Sequence, residues 1–115
     1  MSLFRIVLAG CAATTLAFAP LSAALAEYAP TIEIALKDAA FTPAEIHVAA
    51  DKAFVIKLKN ENAAPAELEA KDLKIEKVVA GNSEIVVKVK GMPAGKYLFV
   101  DEYQEDVAKG YVIVE

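Results

Sequence analysis

Glu84-Ile85-Val86-Val87-Lys88-Val89-Lys90 carries Ile85, Val87 and Val89 at every second position, with Glu84, Lys88 and Lys90 between them. Successive side chains of a strand point to opposite faces, so this run presents an apolar face and a charged one. A helix would need apolar residues three and four apart. The same period of two recurs on either side. Ile32, Ile34 and Leu36 alternate within Thr31–Lys37, and Phe54, Ile56 and Leu58 within Phe54–Lys59. Glu45–Val48, Tyr97–Val100 and Tyr111–Val114 are shorter runs of the same kind, rich in β-branched and aromatic residues.

Turn residues separate these runs: Thr42-Pro43, Ala50-Asp51-Lys52, Lys59-Asn60-Glu61-Asn62, Gly81-Asn82-Ser83, Gly91-Met92-Pro93-Ala94-Gly95 and Lys109-Gly110. Strands at intervals of roughly 8–12 residues indicate a sandwich or barrel. The segment 63–79 reads two ways. Leu68, Leu73 and Ile75 fit a short helix or two short strands, and Glu67-Leu68-Glu69 favours a strand with both carboxylates on one face.

The 115 residues hold one domain, preceded by a removable leader. Arg5 is the single basic residue before an uncharged run over Ile6–Ala26, which ends in the small-x-small sequence Ala24-Leu25-Ala26. That is the pattern of a secretory signal peptide over residues 1–26, with the working domain at 27–115. The expected location is the periplasm, with no stable membrane insertion once the signal is cleaved. Two alternatives stand beside it. The apolar run is long enough to remain as an uncleaved anchor. Leu8-Ala9-Gly10-Cys11 also resembles a lipobox, which would lipidate Cys11. Cleavage after Ala26 removes Cys11, the only cysteine, and leaves no thiolate for metal or redox chemistry.

The net charge is −4, with acidic and basic residues interspersed and no basic block. Nucleic acid is not an expected partner. There is no nucleophile–base pair, no phosphate-binding glycine loop and no zinc-spaced Cys/His set, so hydrolase and nucleotide chemistry are not expected.

The order of the pieces resembles a cupredoxin. Phe41-Thr42-Pro43-Ala44-Glu45-Ile46-His47-Val48 is similar to that family's opening F-x-P-x-x-I-x-V, and Pro93-Ala94-Gly95-Lys96-Tyr97-Leu98-Phe99 to its P-x-G-x-Y-x-F. Phe54–Asn60 resembles the strand before the first ligand loop, and Gly110–Val114 the closing strand. The resemblance implies an all-β Greek-key sandwich of the cupredoxin type with about seven or eight strands. Blue-copper members bind the metal with His, Cys, a second His and usually Met. Here Pro65-Ala66-Glu67 stands where the first ligand is expected, Asp101 where Cys is, Gln104 where the second His is, and Val107 or Ala108 where Met is. Type 1 blue copper is not expected from such residues.

Glu67–Gly81 and Phe99–Gly110 are similar to the EfeO-type cupredoxin-like domain, and more closely to the small periplasmic cupredoxin-like component of bacterial ferrous-iron uptake systems. This resemblance implies binding of iron, with copper as a second candidate. It also implies a role in iron oxidation or transfer to other components of the uptake system. Carboxylates would do the binding. Glu67, Glu69, Asp101 and Glu102 are the candidate ligands, expected at one end of the sandwich, and oxygen donors suit hard cations. The plain alternative is that these are solvated surface acids on a cupredoxin fold that has lost its metal and works as an interaction module. Glu76 reads as an exposed residue pairing with Lys74 or Lys77. His47 faces solvent, Met92 packs in a turn and Tyr97 is structural. Tyr103 either serves electron transfer or shields the loop.

Overall fold

The computed structural model describes residues 29–115. The expected signal peptide, its expected cleavage site and Cys11 lie outside the described residues. The described residues form nine strands: Thr31–Lys37 (β1), Ala40–Thr42 (β2), Glu45–Val48 (β3), Phe54–Asn60 (β4), Ala66–Ala70 (β5), Ile75–Val79 (β6), Ser83–Val89 (β7), Gly95–Asp101 (β8) and Lys109–Val114 (β9). Two 3-10 turns, Lys71–Leu73 and Glu102–Gln104, interrupt them. One sheet has the order β2-β1-β4-β7 and the other β3-β9-β8-β5-β6. Both are mixed, because β1 runs parallel to β4 and β3 runs parallel to β9.

The alternating runs all became strands. The expected count of seven or eight is corrected to nine by β2, a three-residue strand that pairs with the end of β1. Three residues are too few for a period of two to register. The open segment 63–79 resolves into β5 and β6, antiparallel partners joined by the Lys71–Leu73 turn. Lys74 closes that turn in the left-handed region, with φ of 55°.

Alternation explains the core. Ile34, Leu36, Phe54, Ile56, Leu58, Val87 and Val89 from one sheet meet Leu68, Phe99, Val112 and Val114 from the other, all buried. Each contributes on the order of 1.5–3 kcal/mol relative to an exposed side chain. The Phe41 and Phe99 rings meet edge to face, 4.9 Å apart. Phe99 also fixes its neighbour across β8–β9. A methyl on Gly110 would collide with the Phe99 ring and come within 2.7 Å of the Ala44 carbonyl oxygen. The Tyr97 hydroxyl donates to the Pro93 carbonyl at 2.7 Å and holds the turn before β8.

Asn60 is the last inward-facing residue of β4 and is fully buried. Its Nδ2 donates to the carbonyls of Ala64 at 2.9 Å, Ala80 at 3.3 Å and Val79 at 3.4 Å, and its Oδ1 accepts from the Asn62 amide at 3.1 Å. One side chain of the four-stranded sheet thus satisfies a carbonyl of β6 in the other sheet and backbone groups of the β4–β5 and β6–β7 loops. Asn60→Ala leaves these groups without a partner. It should lower the unfolding free energy by about 2–3 kcal/mol, read as a reduced urea midpoint with an unchanged m-value.

Candidate metal centre

Asp101 ends β8 directly across from Leu68 of β5, so the fold turns it inward, and it is 1% exposed. Its Oδ1 accepts from the Glu67 amide at 3.0 Å and the Tyr103 amide at 3.2 Å. Its Oδ2 accepts from Gln104 Nε2 at 3.0 Å. The Asp101 amide donates to the Ala108 carbonyl at 3.1 Å. A buried carboxylate survives because three donors replace its water. Asp101, a candidate ligand by sequence, is thus buried apart from the other acids, with both oxygens engaged in hydrogen bonds to β5 and to the turn after β8.

At the other positions expected to match copper ligands, Ala66 and Ala108 are buried methyls, Gln104 is turned onto Asp101, and Pro65 and Val107 are exposed side chains with no metal-binding atom. His47, the only histidine, lies on β3 between Glu45 and Glu115, with Nε2 at 3.2 Å and Nδ1 at 2.8 Å from their carboxylates. Met92 packs against the core. No thiolate or imidazole reaches the Asp101 region among the described residues, so this donor set does not fit a type 1 copper ion.

The remaining acids gather elsewhere. Leu68 faces the core, so Glu67 and Glu69 project from the outer face of the five-stranded sheet. Glu69 sits opposite Glu76 in the β5–β6 register, and Glu102 opens the 3-10 turn after β8. Carboxylate oxygens of Glu67, Glu76 and Glu102 lie within 4.8 Å of one another. Lys71 approaches Glu69 at 3.7 Å but is itself largely solvent-exposed. The cluster therefore lies on a sheet face rather than at the end of the sandwich. Glu76 belongs to it, while Lys74 and Lys77 form no ion pair with Glu76 among the described residues. The missing signal was the turn Lys71–Leu73, which sets the register that brings position 76 opposite position 69.

Crowding like charges favours holding a proton. Hydrogen bonds to Glu69 and then to Glu67, with desolvation and the charges of both, push the Glu102 carboxyl from its ordinary 4.5 up to about 7. A hydrogen bond to Glu67 and its charge raise Glu76, with smaller help from desolvation and Glu69. The Tyr103 phenol is raised mainly by desolvation, then by the Glu67 charge. The group can accept protons or a hard cation, and either removes the repulsion.

The mixed nine-strand sandwich, with its two loops tied at Asp101, defines a cupredoxin-like architecture. The sequence matches the cupredoxin-like domain family over residues 8–114, and the chain belongs to that family. It is 28% identical over 83 residues to an uncharacterized protein of Rickettsia prowazekii (strain Madrid E), covering 72% of this chain and 66% of that relative, just under two thirds of its length. Among solved structures, auracyanin A, a blue copper protein from Chloroflexus aurantiacus, superposes with a TM-score of 0.64 at 19% identity, covering 75% of this chain and 99% of its own. The metal-binding domain of the Cu(I)-exporting P-type ATPase CopA of Streptococcus pneumoniae D39, solved with Cu(I), gives 0.64 at 17% identity, covering 74% of this chain and 84% of that one. The fold is thus shared with copper-binding proteins.

Two measurements check the site as described. Asp101→Ala strands the Glu67 and Tyr103 amides and should cost about 3 kcal/mol, read by denaturant unfolding. Glu102 supplies the second. Its folded-state value of about 7 lies above the ordinary 4.5, so the native state holds more protons between those values. Its contribution to stability is present below pH 4.5 and is lost as pH rises through 7. Glu102→Gln should flatten that part of the stability–pH curve, and the carbon-13 shift of the Glu102 carboxyl should titrate near 7.

Proposed function

We propose that this is a periplasmic cupredoxin-like protein of the EfeO type that assists ferrous-iron uptake, holding iron at the outward glutamate cluster. The observation that carries the reading is the convergence of Glu67, Glu76 and Glu102 within 4.8 Å, with Glu69 beside them. Four carboxylates form an all-oxygen donor set, which suits a hard ion. Such a set stabilises ferric over ferrous iron, because the higher charge gains more from the same anions. It therefore lowers the iron potential and favours giving up one electron to an acceptor. Copper is the second candidate metal, as Cu(II) rather than Cu(I), since carboxylates are poor partners for the soft ion. The proposed location follows from the signal pattern of residues 1–26. The proposed partners are the other components of the iron-uptake system, in line with the sequence resemblance.

A second reading is a metal-free interaction module on a cupredoxin scaffold. It is favoured by the residues at the copper positions, where Ala66 and Ala108 carry no donor atom and both Asp101 oxygens are taken up by hydrogen bonds. Anaerobic calorimetric titration with ferrous iron separates the two. Binding near one equivalent is expected, and Glu67→Gln combined with Glu102→Gln should weaken it on the order of tenfold or more without changing the circular dichroism. Absence of heat with either ferrous iron or Cu(II) would leave the interaction module as the surviving reading.

A further inference from the structure

Beyond the Lys71–Leu73 turn that follows β5 lies a second charged site, made of different side chains from the glutamate cluster. A cavity of about 470 Å³ is lined by Lys74, Lys88 and Lys90, with Asp72, Leu73 and Met92 completing its wall. The lysines come from two separate parts of the chain. Lys88 and Lys90 are two residues apart and project from the same outward face at the end of β7. Lys74 closes the Lys71–Leu73 turn with a left-handed backbone, its amide donating to the Lys71 carbonyl at 3.1 Å. Among the described residues none of the three ammonium groups is in an ion pair, whereas Lys57 and Lys71 both are. Asp72 supplies one negative charge, so the wall keeps a net positive charge. The floor is apolar: Leu73 is buried, and Met92 packs on the core.

We propose that this cavity binds a small organic anion carrying two or more negative charges on a carbon skeleton. The volume falls within the range of roughly 300–1,000 Å³ typical of small-molecule sites, which combine an apolar lining with a few converging polar groups. The unpaired ammonium groups supply charge for carboxylate or phosphate oxygens, as strong donors without a fixed fork. The Leu73–Met92 floor distinguishes an organic anion from an inorganic one, because only a carbon skeleton covers it. The proposal does not depend on the glutamate cluster.

Citrate and glycerol 3-phosphate serve as probes of the carboxylate and phosphate forms of this chemistry, with inorganic phosphate as the control lacking a skeleton. Each is titrated into the purified full chain and followed by amide NMR. One or both organic anions should shift Lys74, Lys88, Lys90 and Met92 saturably, and raised sodium chloride should weaken the effect. Lys88→Gln combined with Lys90→Gln, two exposed positions, should abolish saturation while leaving the remaining spectrum in place. Lys74→Gln alone should weaken it. Inorganic phosphate binding as tightly as the organic probes would overturn the assignment. So would shifts spread over all lysines without saturation, or binding that survives the double variant.

Discussion

A carboxylate with no water around it must be surrounded by donors, and Asp101 meets that requirement by recruiting them from three places. The Glu67 amide comes from the start of β5, the Tyr103 amide from the turn after β8, and Gln104 from the end of that turn. Losing any of these contacts leaves charge or amide dipole buried and unpaired, which is more costly than the bond itself is favourable. The two loops are therefore fixed relative to each other by a single side chain. Everything nearby inherits that geometry: Ala66 and Ala108 pack closed, and Glu102 is carried on a turn that Asp101 caps through the Tyr103 amide. Here the joint between β5 and the turn after β8 is made of hydrogen bonds to one carboxylate.

That arrangement also explains the outward acids. Because Asp101 faces in, Glu102 is delivered outward toward β5. The period of two sends Glu67 and Glu69 to the same face, and the β5–β6 register adds Glu76. Four like-charged groups on one face destabilise a fold unless something neutralises them. The raised Glu102 and Glu76 carboxyls show the response available to protons alone. A multivalent cation would provide the same relief with more charge. The fold tolerates the cluster because it is on the surface, where water moderates the repulsion, rather than between the sheets.

The strands were legible because most are half-buried, and alternation is a direct record of that. Thr31–Lys37, Phe54–Asn60 and Ser83–Val89 each place apolar residues inward at every second position. Ala40–Thr42 was not, since three residues carry no period. Asp101 looked like a surface acid because its environment is not local: its partner at Glu67 lies 34 residues earlier in the chain. Glu76 was missed for a related reason. Lys74 and Lys77 stand within two residues of it in sequence, and only the hairpin register shows that its neighbours in space are acids. Residue type announces which groups can bind a cation, but pairing across strands decides which of them meet.

The position of the last strand has a consequence for how the molecule comes together. In the order β3-β9-β8-β5-β6, strand β3 bonds to the sheet only through β9, and β9 ends one residue before the final Glu115. The four-stranded sheet, by contrast, has all its members once Val89 has been made. A chain emerging from its N-terminal end can therefore assemble one wall early, while Glu45–Val48 waits unpaired for a segment more than sixty residues later. Long-range parallel closure of this kind is slow. It keeps the second wall open until Lys109–Val114 has been made, so a chain intercepted before that strand remains threadable.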